Sequence, residues 1–309
     1  MLQQDTAGDP TGRRGLWTGK RLEQISQELG DLGLGVCPNT VRRLLGKLDY
    51  GLHANLKSLS PNNSPHRDQQ FRYLTRQRRK FSRCGDPILS VDTKKRELVG
   101  PFKNHGRVWS RKPTPVNDHD FRSWANGVGI PRGNYDLQAN RGLVIIGTSH
   151  DTPVFAVESI CQWWRREGPQ RYPQAKRLLI LADSGGSNSP HYRLWKYMLQ
   201  EKLVDPCQLT VTVCHYPTGA SKWNPVEHRL FSEISKHWAG QPLSDYPTMR
   251  RLIGGTKTLT GLKVRCALDA RCYPTALKVS DAQMRQLNLC KHKVLPQWNY
   301  TLAPRKNGN

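Results

Sequence analysis

Apolar residues near the N-terminus recur at helical spacing. The first predicted helix follows Thr18, a candidate N-cap, and its apolar face consists of Leu22, Ile25 and Leu29. Residues 30–35 contain three glycines, which end this helix, and Pro38 begins a second one. The apolar face of the second helix consists of Val41, Leu44, Leu45 and Leu48. Two short helices joined by a glycine-containing turn predict a helix-turn-helix, with residues 50–59 as a candidate wing.

Beyond residue 86, short apolar runs indicate buried strands. A Ser- and Pro-rich linker at residues 58–65 and a charged helix over residues 66–83 precede this region. The apolar runs predict strands at residues 88–91, 143–147, 178–182 and 209–214. Helical spacing predicts helices over residues 155–166, 192–203 and 223–238. We expect the partner of the first strand within residues 98–109, and an irregular insertion at residues 112–132.

Strands and helices in this order predict an α/β protein with a mixed sheet and flanking helices. The C-terminal part is less regular, with a predicted helix at residues 249–253, a strand at 262–268 and a capped helix at 280–289. We therefore expect a helix-turn-helix region with its linker, a connecting basic helix, an α/β core and a C-terminal α+β extension. Their predicted bounds are residues 1–65, 66–85, 86–240 and 241–309.

Three acidic residues stand at the ends of predicted elements. Asp92 directly follows the first predicted strand, Asp183 directly follows the strand at residues 178–182, and Glu227 lies near the start of the helix over residues 223–238. Two carboxylates at strand ends and one on a helix can converge at one edge of a sheet. Such a cluster can hold two hard cations for phosphodiester chemistry. Each acid alone also has a structural interpretation, as a loop cap, a partner of a lysine or a first-turn helix acid.

Charge changes this picture. The chain has 48 Lys and Arg against 24 Asp and Glu, a formal net charge of +24, and this excess favours a polyanionic partner. Arg42, Arg43 and Lys47 lie on the polar side of the second helix, so we expect this helix to contact the major groove of DNA. A generally basic protein and an ordinary helical hairpin are the alternatives.

Cysteine usage and hydropathy bear on the compartment. The eight cysteines include no C-x-x-C pair, which indicates reduced thiols. No apolar run reaches the roughly 18 residues of a membrane span, and the N-terminus lacks a secretory pattern. We therefore expect a cytoplasmic, nucleoid-associated protein with no membrane partner.

Three segments that contain the acids together resemble the Rhodopirellula-type DDE transposases of bacterial insertion sequences. The segments are Ser90–Gly100, Ala182–Asn188 and Lys222–Ser232, and the resemblance extends over about residues 17–300. It implies a ribonuclease-H-like catalytic core, and it matches Asp92, Asp183 and Glu227 to the catalytic, metal-binding triad of the family. The sequence departs from the pattern at Ser184, where the family more often has Gly or Ala. It also departs at its start, where members usually carry more residues, so we expect part of a DNA-binding region to be missing.

The resemblance implies a transposase that cuts DNA at the ends of a mobile element and transfers the cut strand into target DNA. It implies two Mg²⁺ ions on the three carboxylates, with Mn²⁺ as a substitute. The implied partner is double-stranded DNA, with the protein assembled on it as a homo-oligomer. Two alternatives remain open, a non-catalytic DNA-binding remnant or repressor derived from a transposase, and a structure-specific nuclease.

Residues around the triad are candidates for supporting roles. The candidate phosphate contacts outside the second helix are Lys94, Lys222, His228 and Arg229. Three further acids could compete as ligands, namely Asp136, Asp151 and Glu158. Asp151 is the strongest of these rivals because it follows a predicted strand.

Overall fold

The structure is a computed structural model that describes residues 18–53, 65–220 and 223–305. The chain divides into two compact units, Met1–Leu59 and Ser60–Asn309. Among the described residues, no helix is long and apolar enough to cross a membrane.

The first unit contains helices α1 (Leu22–Asp31) and α2 (Pro38–Lys47). The turn between them uses Gly33 at a φ of 79°, a conformation that glycine adopts without strain. Thr18 is not the N-cap of α1, because the helix begins after Arg21, whose N–H donates to the Gln24 side chain. The apolar face predicted for α2 is only partly covered, with Val41 buried and Leu44 and Leu48 exposed. Of the candidate wing, residues 50–53 form no strand and the rest lies outside the described residues.

The second unit is built from strands and helices in alternation. Its strands are β1 (Ile88–Thr93), β2 (Glu97–Val99), β3 (Gly127–Asp136), β4 (Arg141–Gly147), β5 (Arg177–Ala182), β6 (Thr210–His215), β7 (Lys263–Asp269), β8 (Leu289–Lys291) and β9 (Asn299–Leu302). Its helices are α3 (Arg67–Arg83), α4 (Pro153–Arg171), α5 (Arg193–Leu199), α6 (Asp205–Cys207), α7 (Ser232–His237), α8 (Tyr246–Gly254) and α9 (Asp281–Arg285). Glu227–Phe231 forms a π-helical turn that leads directly into α7.

The strands form one mixed sheet in the order β7-β4-β3-β1-β5-β6-β9-β8, with β2 paired to β3. β3 is antiparallel to both β1 and β4, whereas β1, β5 and β6 run parallel to one another. Helices α4 and α5 cover one face, where Trp163 and Trp195 are buried. α3 covers β1, β5 and β6 on the other face, beside the helix that follows Glu227 and α8. The predicted α/β class, a mixed sheet with flanking helices, is confirmed.

The longest strand, β3, differs from the prediction. The prediction of an irregular insertion at residues 112–132 is wrong from residue 127 onward, where β3 begins. The partner of β1 is β3 rather than a strand within residues 98–109. Gly129, Pro131 and Gly133 hide the strand in the sequence, because glycine and proline disfavour strands. The glycines leave room for helices, since a Cβ at Gly129 would lie 2.6 Å from Met249 Sδ.

The predicted capped helix at residues 280–289 is shorter than expected. α9 ends at Arg285, although Ser280 does cap it by accepting the N–H of Gln283 at 3.2 Å. Leu289 instead begins β8, which pairs with β9 at the edge beyond β6. The C-terminal segment therefore extends the central sheet.

Candidate active site

Asp92 and Asp183 come together because their strands are parallel neighbours. β1 and β5 pair with Val91 opposite Ala182, so the next residue of each strand emerges at the same edge of the sheet. The backbone N–H of Thr93 donates to Asp92 Oδ1 at 2.8 Å, and that of Ser184 donates to Asp183 Oδ1 at 2.7 Å. Each carboxylate is thus oriented by the residue that follows it.

Buried Asn224 ties the start of the Glu227 helix to β1. Ser90 Oγ donates to Asn224 Oδ1, and Asn224 Nδ2 lies 3.4 Å from both the Val91 carbonyl and Asp92 Oδ2. The N–H of Val226 donates back to Ser90 Oγ at 3.1 Å. The helix that carries Glu227 therefore begins beside Asp92.

Gly133 lets the same helix approach β3 closely. In the sheet Gly133 is opposite Asp92, and a Cβ on it would lie 2.6 Å from the Phe231 ring and 2.9 Å from Val226. Any larger residue would collide with these two side chains, which belong to the helix that carries Glu227. The absence of a side chain on β3 thus helps to set the position of the third acid.

The three carboxylates act on one another electrostatically. Burial and, to a smaller extent, the negative charges of Asp183 and Glu227 together raise the pKa of Asp92 to about 7. Burial also raises the pKa of Asp183. Burial and the charge of Asp183 raise the pKa of Glu227, while Lys94 acts in the opposite direction. The charge of Asp183 thus acts on both Asp92 and Glu227, and the charge of Glu227 acts on Asp92.

The donor set fits a hard divalent cation. Carboxylate oxygens are the protein ligands that Mg²⁺ prefers, and a cation would offset the repulsion that raises the pKa of Asp92. Within the described ranges, however, no three His, Cys, Asp or Glu side chains are close enough together to hold a metal ion between them. The predicted metal-bridging cluster therefore stays a prediction.

A buried arginine links the two aspartate-bearing loops, and sequence analysis does not identify it. Arg132 is fully buried on β3 opposite Thr93, and it donates to Thr93 Oγ1 at 2.7 Å and to Ser187 Oγ at 2.8 Å. It also donates to Asn188 Oδ1, and it lies 3.8 Å from Asp151 Oδ1. Arg132 therefore fastens the loop after Asp183 to the end of β1. The only sequence feature that could have pointed to Arg132 is its position as a single charge between Pro131 and Gly133, and this segment is predicted to be irregular.

His215 is hydrogen-bonded to the backbone carbonyl of Asp183. It is fully buried, and burial lowers its pKa to about 4, so the ring is neutral. Its Nδ1 lies 3.1 Å from the Asp183 carbonyl and its Nε2 lies 3.2 Å from the Tyr300 hydroxyl. The hydroxyl of Tyr300 also accepts the indole N–H of Trp195 at 2.8 Å. This chain of hydrogen bonds anchors the backbone at Asp183 in the core.

The rival acids have structural partners. Asp151 accepts a hydrogen bond from Thr93 Oγ1 at 3.3 Å in addition to its contact with Arg132. Asp136 lies at the other end of β3, where the Tyr172 hydroxyl donates to it at 2.9 Å. Glu158 pairs with Arg165 and Arg271. Of the three, only Asp151 lies at the edge that carries Asp92.

The basic residues predicted near the triad occupy different surroundings. Lys94 pairs with Glu97 at 2.7 Å, and its Nζ lies 4.6 Å from the centroid of the Trp238 ring. His228 and Arg229 are exposed and line a surface groove with Asn140, Glu233 and Thr260. Lys222 lies outside the described residues. In the first unit the candidate DNA contacts of α2, Arg42, Arg43 and Lys47, are exposed.

Comparisons with solved structures find distant similarity. The Mos1 transposase paired-end complex with left transposon end matches with a TM-score of 0.44 and 14% identity, covering 75% of this chain and 65% of that one. The Mos1 strand transfer complex matches with a TM-score of 0.42 and 15% identity, covering 75% and 64%. The Mos1 paired-end complex with Mg gives 0.43 and 15%, covering 75% and 65%. The chain thus spans just under two thirds of the length of these Mos1 chains.

Comparison with family models gives the assignment. No curated protein matches the sequence significantly. The family model described as Rhodopirellula transposase DDE domain matches residues 1–304, nearly the whole chain. The chain therefore belongs to the Rhodopirellula family of DDE transposases.

Proposed function

We propose that this transposase cuts DNA at the ends of a mobile element and joins the freed strand to target DNA, with Asp92, Asp183 and Glu227 as its catalytic residues. The observation that supports the proposal is that Asp92 and Asp183 follow adjacent parallel strands and that Asn224 holds the start of the Glu227 helix beside Asp92. The charges of Asp183 and Glu227 also raise the pKa of Asp92. Carboxylates that repel one another are costly for a fold unless they serve a cationic ligand.

The three carboxylates would hold two divalent ions, with Mg²⁺ the expected metal and Mn²⁺ a substitute. Bound ions supply activation of the attacking oxygen and stabilisation of the leaving oxygen. The chain's own part is to orient the ligands. The N–H groups of Thr93 and Ser184 fix the two aspartates, and Asn224 fixes the start of the Glu227 helix.

Two displacements at phosphorus complete the proposed reaction. In the first, a water oxygen bonds to phosphorus and the bond between phosphorus and the 3′ oxygen breaks. One water proton passes to that oxygen, which becomes a free 3′-hydroxyl, and the other stays on the 5′-phosphate or is released to solvent. In the second, the oxygen of that 3′-hydroxyl bonds to a phosphorus of the target strand, the bond from this phosphorus to the target strand's own 3′ oxygen breaks, and the hydroxyl proton passes to that leaving oxygen. Both are in-line displacements, so one set of ligands serves both.

The proposed partner is double-stranded DNA at element ends and target sites. Arg42, Arg43 and Lys47 of α2 are exposed, and the formal net charge of +24 favours a polyanion. We propose that copies of the chain assemble as a homo-oligomer on this DNA, in the cytoplasm at the nucleoid.

The test is an assay of cleavage and strand transfer on duplexes that carry the inverted repeats flanking the gene. With Mg²⁺, the wild type should nick the element end and form joined target products, and Asp183→Asn should do neither. Cutting without joined products would favour a structure-specific nuclease. Binding without cutting would favour a non-catalytic remnant and would overturn the proposal.

A further inference from the structure

Helix α3 has a buried face and a strongly basic exposed face. Gln70, Tyr73, Leu74 and Phe81 are buried against the sheet. Four exposed arginines follow one another at spacings of four, three and four residues, namely Arg72, Arg76, Arg79 and Arg83. Residues at these spacings lie on one side of a helix, so the four guanidiniums form a stripe about 16 Å long. We call these four residues the α3 stripe.

The charges of the α3 stripe are not neutralised by nearby acids. Among the described residues, none of the four arginines forms an ion pair with a carboxylate. By contrast, Arg165 and Arg193 on the same unit are paired with Glu158 and Asp281, each at 2.5 Å. Like charges one helical turn apart destabilise a helix. An uncompensated row of this kind is therefore a feature that an anionic ligand would stabilise.

The position of α3 connects the stripe to the active-site edge. At the N-terminal end of α3, the Phe71 ring lies 5.6 Å from the Trp223 ring, and Trp223 directly precedes Asn224. At the C-terminal end, Phe81 lies 5.6 Å from the guanidinium of Arg177, the first residue of β5. Because β5 ends at the active-site edge, α3 runs from that edge toward the opposite one. The stripe thus leads away from the acids along the outside of the sheet.

We propose that the α3 stripe binds the phosphate backbone of duplex DNA whose scissile bond lies at the active-site edge of the sheet, beside Asp92 and Asp183. This inference rests on the proposed function. Guanidinium groups bind phosphate oxygens in pairs of hydrogen bonds and stay charged at all working pH values. A stripe of about 16 Å matches roughly half a turn of duplex. Contacts of this kind position DNA without reading its sequence.

The test measures how the affinity of the full-length protein for DNA depends on salt. The probe is a random-sequence duplex of about three helical turns, with EDTA present to prevent cutting. Each lost phosphate contact lowers the slope of log affinity against log salt by about 0.9. The double variant Arg72→Gln/Arg79→Gln should therefore lose about two from the slope. Arg72→Lys/Arg79→Lys, which keeps the charges, should retain most of it.

The matched control is Arg165→Gln/Arg193→Gln, which removes the same charge from ion-paired positions on the same unit. Its slope should equal that of the wild type. Equal loss in both glutamine variants would mean that only net charge matters, and no loss in the α3 variant would mean that the α3 stripe does not contact DNA. Either result overturns the inference. Asp183→Asn tests the proposed catalysis separately, since it should abolish cutting without changing the slope.

Discussion

Replacing Gly133 by alanine tests whether close packing on β3 sets the position of Glu227. The added Cβ would lie 2.6 Å from Phe231 Cε1 and 2.9 Å from Val226 Cγ2. Carbon atoms pack best at about 3.5–4.0 Å, so the helix must move outward by about 1 Å. Val226 directly precedes Glu227, so the carboxylate moves with it.

The expected effects are large enough to measure. Overpacking of this kind costs about 1–3 kcal/mol, and each kcal/mol lowers the Tm of a unit of this size by about 2–4 °C. A catalytic group displaced by about 1 Å can cost about 100-fold in rate. Gly133→Ala should therefore lower the Tm by several degrees and the single-turnover rate of element-end cleavage by about 100-fold.

The assay pairs calorimetry with cleavage of a labelled element-end duplex in Mg²⁺. Gly254→Ala is the matched control, because its Cβ would meet Cys266 Cβ at an ordinary distance of 3.6 Å. The control should keep the wild-type rate. If Gly133→Ala matched the wild type in both rate and Tm, the argument that β3 seats the Glu227 helix would be refuted.

Three further predictions concern other residues. Arg132→Met should lower the free energy of unfolding by about 3–5 kcal/mol in urea titrations, because it leaves Asp151 and the polar groups around it without their buried partner; an unchanged value would show that Arg132 does not hold the loop after Asp183. Asp92→Asn, without divalent ions, should raise the free energy of unfolding at about pH 8 by up to about 4 kcal/mol, because burial and the neighbouring charges raise the pKa of Asp92 to about 7. In the wild type, Asp92 binds its proton more tightly in the folded state than in the unfolded chain, so below pH 7 the folded carboxyl is protonated and its charge no longer destabilises the fold. The gain from Asp92→Asn should therefore shrink as the pH falls below 7, and a gain independent of pH would contradict this explanation. Arg42→Ala or Arg43→Ala should cost about 1–3 kcal/mol in binding if that arginine reads a base, or lower the salt slope by about one if it binds phosphate, and binding isotherms that show neither would remove α2 as the recognition helix.

Runs of branched apolar residues made much of the sheet predictable. β4 and β5 each contain several consecutive apolar residues, and β1 and β6 are rich in apolar and β-branched residues. Such short segments are typical of strands that are buried on both faces. The polar residue at the end of such a run is easy to find. Asp92 and Asp183 were therefore predictable as neighbours at one edge, once their strands were taken as parallel.

β3 and its arginine were not predictable in the same way. Local preference argues against a strand at Gly129, Pro131 and Gly133, but each glycine serves a helix that packs on it from elsewhere in the chain. Arg132 looks like a solvated charge in the sequence, and its four polar partners come from β1, the loop before α4 and the loop after β5. Such contacts are set by tertiary structure alone. The start of α1 differs from the prediction for a local reason, because the side chain of Gln24 accepts the backbone N–H of Arg21 and the helix begins there rather than after Thr18.

The most direct test of the account is cleavage by Glu227→Gln. This change keeps the shape of the side chain and removes one charge of the proposed metal-binding set. We expect the wild type to cut element-end DNA with Mg²⁺, and Glu227→Gln to bind the same DNA with similar affinity but not to cut it. Cleavage by the variant at the wild-type rate would contradict the account, and Asp151 would then be the acid to test as the third ligand.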